Sequence, residues 1–190
     1  MVDETEASSG REIVVWDPFV RIFHWTVVIA FTVAYLVEDP LVVHVWAGYV
    51  IAALLIVRIA WGFVGSKHAR FSDFLYPPST AISYVRDLLR LQGKRYLGHS
   101  PGGGYMVVAL LVMLAATGIA GLVVYGGEEN AGPLAGLVGK QTAEAMEEVH
   151  EVLANITLAL VLIHVAAVLF ASFAHHENLV RPMITGRKRV

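Results

Sequence analysis

The stretch "EEVHEVLANITLALVLIHVAAVLF", residues 147–170, carries two histidines fourteen positions apart, His150 and His164, the second deep among apolar residues. On an α-helix fourteen residues rise about 21 Å and come within about 40° of a whole number of turns. Both imidazoles therefore look out from one face, most of a membrane's thickness apart. The surrounding run, from about Glu147 to Phe173, exceeds the ~20 residues needed to cross a ~30 Å hydrocarbon core. Backbone polar groups in lipid must be satisfied within their own segment, so the run is predicted to be a helix.

Three further runs of this kind precede it. Residues 19–37, "FVRIFHWTVVIAFTVAYLV", and 41–64, "LVVHVWAGYVIAALLIVRIAWGFV", are separated only by Glu38, Asp39 and Pro40, which dictates an antiparallel helical hairpin. The third spans about 105–125, between "HSPGGG" and "YGGEENAGP". A soluble four-helix bundle would show a polar stripe on each helix, and "MVVALLVMLAATGIAGLVVY" (106–125) has none. The composition agrees: 56% of the 190 residues are hydrophobic, 16% are charged, and the mean hydropathy is +0.62. Cysteine is absent, which excludes disulfides, thiolate-held iron–sulfur clusters, zinc ribbons and covalent c-type haem.

The expected fold is an all-α integral membrane protein, a bundle of four transmembrane helices over residues 16–174. A polar tail (1–15) precedes it and a second tail (175–190) follows. The opening "MVDETEASSGRE" is too acidic for a secretory signal and reads as solvated. Within the long 65–102 connection, "STAISYVRDLLRLQ" (79–92) sets Ile82, Val85, Leu88 and Leu89 at helical spacing against Arg86 and Arg90. It is predicted to be an amphipathic helix on the membrane surface, with a loop helix packed on protein as the alternative.

Thirteen of the 14 Lys and Arg residues fall on the side of the termini and the long loop, leaving Lys140 alone opposite. The positive-inside rule then places both termini and that loop in the cytoplasm. The other face carries Glu38, Asp39, Glu128, Glu129, Glu144, Glu147, Glu148 and Glu151 against that single lysine.

Four of the eight histidines lie in or at the edge of the apolar runs. His44 and His150 sit near the outer ends of their helices. His24 lies fourteen residues before Glu38, and His164 fourteen beyond His150, so both are about 21 Å deeper. The four sort into two levels, each receiving one histidine from the last helix and one from another. Intramembrane ionisable residues point to function, and a pair of opposed imidazoles with nothing else is the axial ligand set of a low-spin haem. Zinc would want three or four ligands. A proton relay would mix in carboxylates along its path.

Gly48, one turn after His44, and Ala167, three residues after His164, leave room for a flat macrocycle. Arg58, at the inner level, is suited to a haem propionate, with snorkelling to the headgroups as the alternative. Ala116, Thr117, Gly118, Ala120 and Gly121 form a small-residue face, read as helix packing. His68, His99, His175 and His176 are expected to be solvated or to face headgroups. Trp16, Trp25 and Trp61 at one boundary, and Tyr35, Trp46 and Tyr125 at the other, are expected as interface belts.

The segments "VWDPFVRIFHW", "HVWAGYVIAALLIVRIAWGFVG", "ARFSDF", "YLGHSPGGGYMV" and "HHENLVRPMITGRKR" resemble the bacterial cytochrome b561 family, in the branch of the Ni,Fe-hydrogenase b-type cytochromes. The resemblance runs from Trp16 to the end. It implies a four-helix membrane bundle with two non-covalent haems b, the family's ligand pattern falling on His24 with His164 and on His44 with His150. It also implies electron exchange between quinone, ubiquinone or menaquinone, and a redox partner.

Three functions compete on this reading. The first is an electron carrier in a respiratory chain, linking quinone to a periplasmic c-type cytochrome or hydrogenase, which the acidic outer face would steer if cationic. The second is a superoxide:quinone oxidoreductase, which that same face disfavours by repelling the anion. The third is a histidine-relay transporter or proton channel. Membrane lipid is an expected partner, nucleic acid is not, and a homodimer stays open.

Overall fold

The computed structural model describes residues 12–189. Helix α1 (Pro18–Leu36) starts one residue earlier than its apolar run because Asp17 caps it, accepting the Val20 N–H at 2.9 Å, with Pro18 in the first turn. Helix α2 (Leu41–Val64) returns antiparallel along α1. Helix α5 (Pro101–Glu128) begins four residues before its predicted start. Ser100 caps it through Gly103 N, and the three glycines that read as a loop form its first turn. Gly104 is needed there, since a Cβ would lie 2.4 Å from the Phe74 carbonyl. Helix α6 (Lys140–Ala174) is longer still, running seven residues beyond the apolar stretch. Ala143, fully buried, fixes this extension against Gly127, where a Cβ would meet the Ala143 methyl at 2.5 Å.

These four helices are each long and apolar enough to cross a membrane. Their packing is by pairs: α1 along α2, α5 along α6, with α2 and α5 joining the pairs. Ala30, Ile51, Leu55, Leu111 and Leu114 form the central core. The outward faces stay apolar, with Ile56 71% and Leu162 61% exposed, an arrangement that suits hydrocarbon as the surrounding solvent. The chain is a multi-pass membrane protein.

The connection between α2 and α5 holds a 3₁₀ turn (Lys67–Ala69), a short helix α3 (Phe71–Phe74) and helix α4 (Pro78–Leu89). The α4 face that packs inward is Ala81, Tyr84 and Leu88, which meets Tyr96 and Ala171. Ile82, Val85 and Leu89 are exposed. The apolar set predicted from spacing is thus divided: Leu88 goes to protein and the other three stay outside.

The two tails meet. Strand β1 (Glu12–Val14) pairs antiparallel with β2 (Arg187–Arg189), Ile13 opposite Lys188. This clasp follows a five-residue helix α7 (Arg181–Thr185) that ends at Gly186, whose φ of +80° suits glycine. The opening segment read as solvated is thus already held in a strand at Glu12, while residues 1–11 lie outside the described part. Lys188 is buried, donating to the Tyr96 carbonyl at 3.0 Å, with Glu177 at 3.6 Å. Arg95 binds both Glu177 oxygens, at 2.9 and 3.0 Å, and also donates to the Arg189 carbonyl.

Candidate functional site

The structure brings the four membrane histidines together as two facing pairs. His24 of α1 and His164 of α6 have ring centres 6.5 Å apart. His44 of α2 and His150 of α6 are 6.0 Å apart, toward the acidic end of the bundle. All four rings are half-buried. Among the described residues no three His, Asp or Glu side chains converge as a metal cluster, so each site is a pair of imidazoles and nothing more.

The His44–His150 pair is aimed by hydrogen bonds. His44 Nδ1 donates to the Ala34 carbonyl at 2.8 Å. Ala34 lies in the last turn of α1, where carbonyls have no partner within the helix, so a helix end orients the ring. His150 Nδ1 donates to the Thr117 carbonyl at 2.9 Å. Thr117 sits mid-helix in α5, and the ring reaches it only because Gly121, one turn on, has no side chain. A Cβ at Gly121 would lie 2.9 Å from His150 Cε1 and 3.1 Å from Nδ1. With Nδ1 committed to a carbonyl, Nε2 of each ring is the free lone pair, the tautomer that metal-binding histidines adopt. Thr157, wholly buried, bonds the Thr117 hydroxyl at 3.2 Å and locks α5 to α6 beside this turn. Tyr35 donates to Asn155 at 2.7 Å, tying α1 to α6.

In the other pair, His24 Nδ1 is buried without a partner. His24 packs edge-on to Trp25, with centres 5.1 Å apart. Gly48 opens onto free space: a Cβ there would meet nothing within 4 Å, as at Gly118.

Arg58 does not snorkel. It is 2% exposed, donates through Nη2 to the Ala69 carbonyl at 3.1 Å and lies 5.4 Å above the Phe71 ring. Its Nη1 is buried with no partner.

Two expectations about the remaining aromatics need correction. His99 is not solvated: its ring is set between Trp16, 4.6 Å away, and Phe74, 4.5 Å away, with Nδ1 buried and unpartnered. His68 is paired with Asp73 at 2.9 Å. The three tryptophans at that end are not simply a headgroup belt either. Trp61 donates to Asp17 at 3.1 Å, Trp25 to the Met183 carbonyl at 3.0 Å, and Trp16 is buried against His99. Spacing along one helix cannot reveal such ties, because they join segments more than forty residues apart.

An iron held by two imidazole nitrogens at about 2 Å each, with about 1 Å more from each nitrogen to its ring centre, needs centres separated by about 6 Å. Both pairs meet that requirement, and the free Nε2 atoms of the acidic-end pair supply the right donor. Comparison with known proteins identifies the family. The family model described as prokaryotic cytochrome b561 matches residues 15–186. A probable Ni/Fe-hydrogenase B-type cytochrome subunit of Rhizobium leguminosarum bv. viciae is 23% identical over 224 residues, covering 96% of this chain and 91% of its own. One of the same description from Bradyrhizobium diazoefficiens is 28% identical over 127 residues, about half of each chain. Residues 15–186 being almost all of it, the chain belongs to the prokaryotic cytochrome b561 family, as a b-type cytochrome of membrane electron transfer.

Proposed function

We propose that this chain holds two haems b and carries electrons across the bacterial inner membrane, between the quinone pool and a redox protein on the periplasmic side. His24 and His164 would ligate the inner haem, and His44 and His150 the outer one. The observation that carries this is the pair of facing imidazole couples, 6.5 and 6.0 Å between centres, at two depths of one bundle. Each haem, when bound, supplies a one-electron iron couple.

The residues define what the protein adds. The Ala34 and Thr117 carbonyls hold two of the ligand rings in orientation and raise their basicity. A haem iron held by such a pair of histidines would have no open coordination position. Gly48 leaves flat space beside His44. Arg58, buried with an open N–H, is suited to a propionate. Twelve described basic residues at the end that carries the β1–β2 clasp favour a cytoplasmic location for it. The exposed Ile82, Val85 and Leu89 of α4 would then rest in the lipid surface.

The partner class follows from the relatives' descriptions and from charge. Both are described as hydrogenase B-type cytochrome subunits, so a hydrogenase-like protein is the first partner we propose. The acidic outer face would steer a cationic surface on it, or on a c-type cytochrome.

The test is haem quantitation with a reduced-minus-oxidised spectrum. The purified chain is expected to hold two haems, and His164→Ala one, with the remaining signal that of the outer site. Colourless protein, or two haems retained after His164→Ala, would end the assignment.

A further inference from the structure

Among the described residues three buried nitrogen atoms outside the histidine pairs have nothing to bond: Nε of Arg21, Nη1 of Arg58 and Nδ1 of His99. Arg21 is held through its Nη1 to the Ile184 carbonyl; Arg58 and His99 belong to one small region. Arg58 is anchored through Nη2 to Ala69, the end of the 67–69 turn. The same turn carries His68, which packs against Gly98 so closely that a Cβ there would lie 2.9 Å from its Nδ1. Residue 99 follows directly, its ring held by Trp16 and Phe74. His99 is near enough to Arg58, His164 and His68 for their charges to act on it. Burial first, and then those charges, push its pKa down to about 3.

Depth places this region beside the His24–His164 pair. His24 lies twelve residues before the end of α1, and Arg58 seventeen after the start of α2. Measured from their shared turn, these are about 18 and 26 Å, so Arg58 sits about 8 Å nearer the basic end. That is the reach of a carboxylate arm extending from a macrocycle toward that end.

The region needs an anion. A guanidinium buried without a counter-charge is costly, and the carboxylate whose charge reaches Arg58, Asp17, is committed elsewhere. Its oxygens accept from Val20 N at 2.9 Å, Ser66 at 2.5 Å and Trp61 at 3.1 Å. Asp17 therefore serves as the hub joining α1 to α2, and Nη1 keeps its open valence.

We propose that Arg58 and His99 together form a carboxylate site that takes a propionate of the inner haem, with His99 as the second, positioning member. This rests on the di-haem reading above. The guanidinium supplies charge and a directed N–H. The imidazole nitrogen shares a proton with the carboxyl group, and its aromatic neighbours keep water away from the pair.

Resonance Raman spectroscopy of the holoprotein tests this through the propionate-bending band, which reports hydrogen bonding to that group. Fewer than two haems in the unsubstituted chain would remove the underlying reading, whatever the variants show. With two present, His99→Phe, which keeps the aromatic packing, and Arg58→Met, which keeps the apolar stem, should each shift the bending band of the haem that His164→Ala removes. His99→Gln, which still offers a polar atom, should shift it less. If His99→Phe instead loses haem, loss confined to that same haem with retention in His99→Gln supports the site. An unmoved band in both variants, a shift confined to the other haem, or loss of both haems from both His99 variants overturns it.

Discussion

Gly121 shows how one missing side chain can decide a site. The Thr117 carbonyl lies in the interior of α5, and a helix interior normally presents Cβ atoms that keep other rings away. At Gly121 the ring of His150 moves in to hydrogen-bond distance instead. Gly121→Ala puts a methyl about 2.9 Å from Cε1, closer than carbon atoms tolerate, and α6 is locked here by Thr157 and cannot give way easily. The expected outcome is selective loss of the outer haem, with retention weakened by about 10–100-fold as for other lost ligand-orienting contacts. The same variant should keep the inner haem. Haem content and the split Soret and α-band spectrum of Gly121→Ala check this; an unchanged two-haem spectrum would show that the glycine only serves helix packing.

The elements at the basic end form a clasp. Glu177, just after α6, receives a two-pronged bond from Arg95 and the charge of Lys188 on β2. Burial pushes this carboxyl up, but the Arg95 hydrogen bond and the Lys188 and Arg95 charges together outweigh it and leave it below the usual carboxylate range. His175 also feels the Glu177 charge, and Glu12 faces Arg181 and Arg187 on the other side of the strands. A carboxyl with a lowered folded-state value contributes its stability above the unfolded value and loses it as pH falls through the folded one. The clasp should therefore hold at neutral pH and loosen below about pH 4. Hydrogen exchange at Arg187–Arg189, corrected for its intrinsic pH dependence, should accelerate there while the α5 interior stays protected. Glu177→Gln should exchange quickly at neutral pH and lose that dependence; a variant as protected as the parent chain would show that the β1–β2 pairing alone holds the tails.

At the scale of the molecule, charge is divided between the two ends. Among the described residues eight carboxylates face a single lysine at one end, and twelve basic residues gather at the other. Such a field acts on encounter rates and fades with salt over a Debye length of about 10 Å at 0.1 M. Reduction of a cationic cytochrome by the reduced holoprotein is expected to slow as salt rises, and Glu147→Gln with Glu148→Gln to slow it at low salt while leaving the high-salt rate unchanged. Rates that ignore salt would separate the acidic end from partner recognition.

The amino-acid sequence by itself determined the spans, their number and their antiparallel order, because lipid forbids unsatisfied backbone and so turns long apolar runs into helices. It also determined the depth of each histidine, since helical rise converts residue counts into distance. Only the tertiary structure decided what lies across a helix face. It buried His99 between Trp16 and Phe74, kept Arg58 inside with Ala69 and Phe71, paired the two tails as strands, and set the Ala34 and Thr117 carbonyls behind the His44 and His150 rings. These contacts join residues ten to more than a hundred positions apart in the chain. Periodicity within one segment carries no information about its azimuth toward another, and that angle is fixed by which small residues let two helices approach.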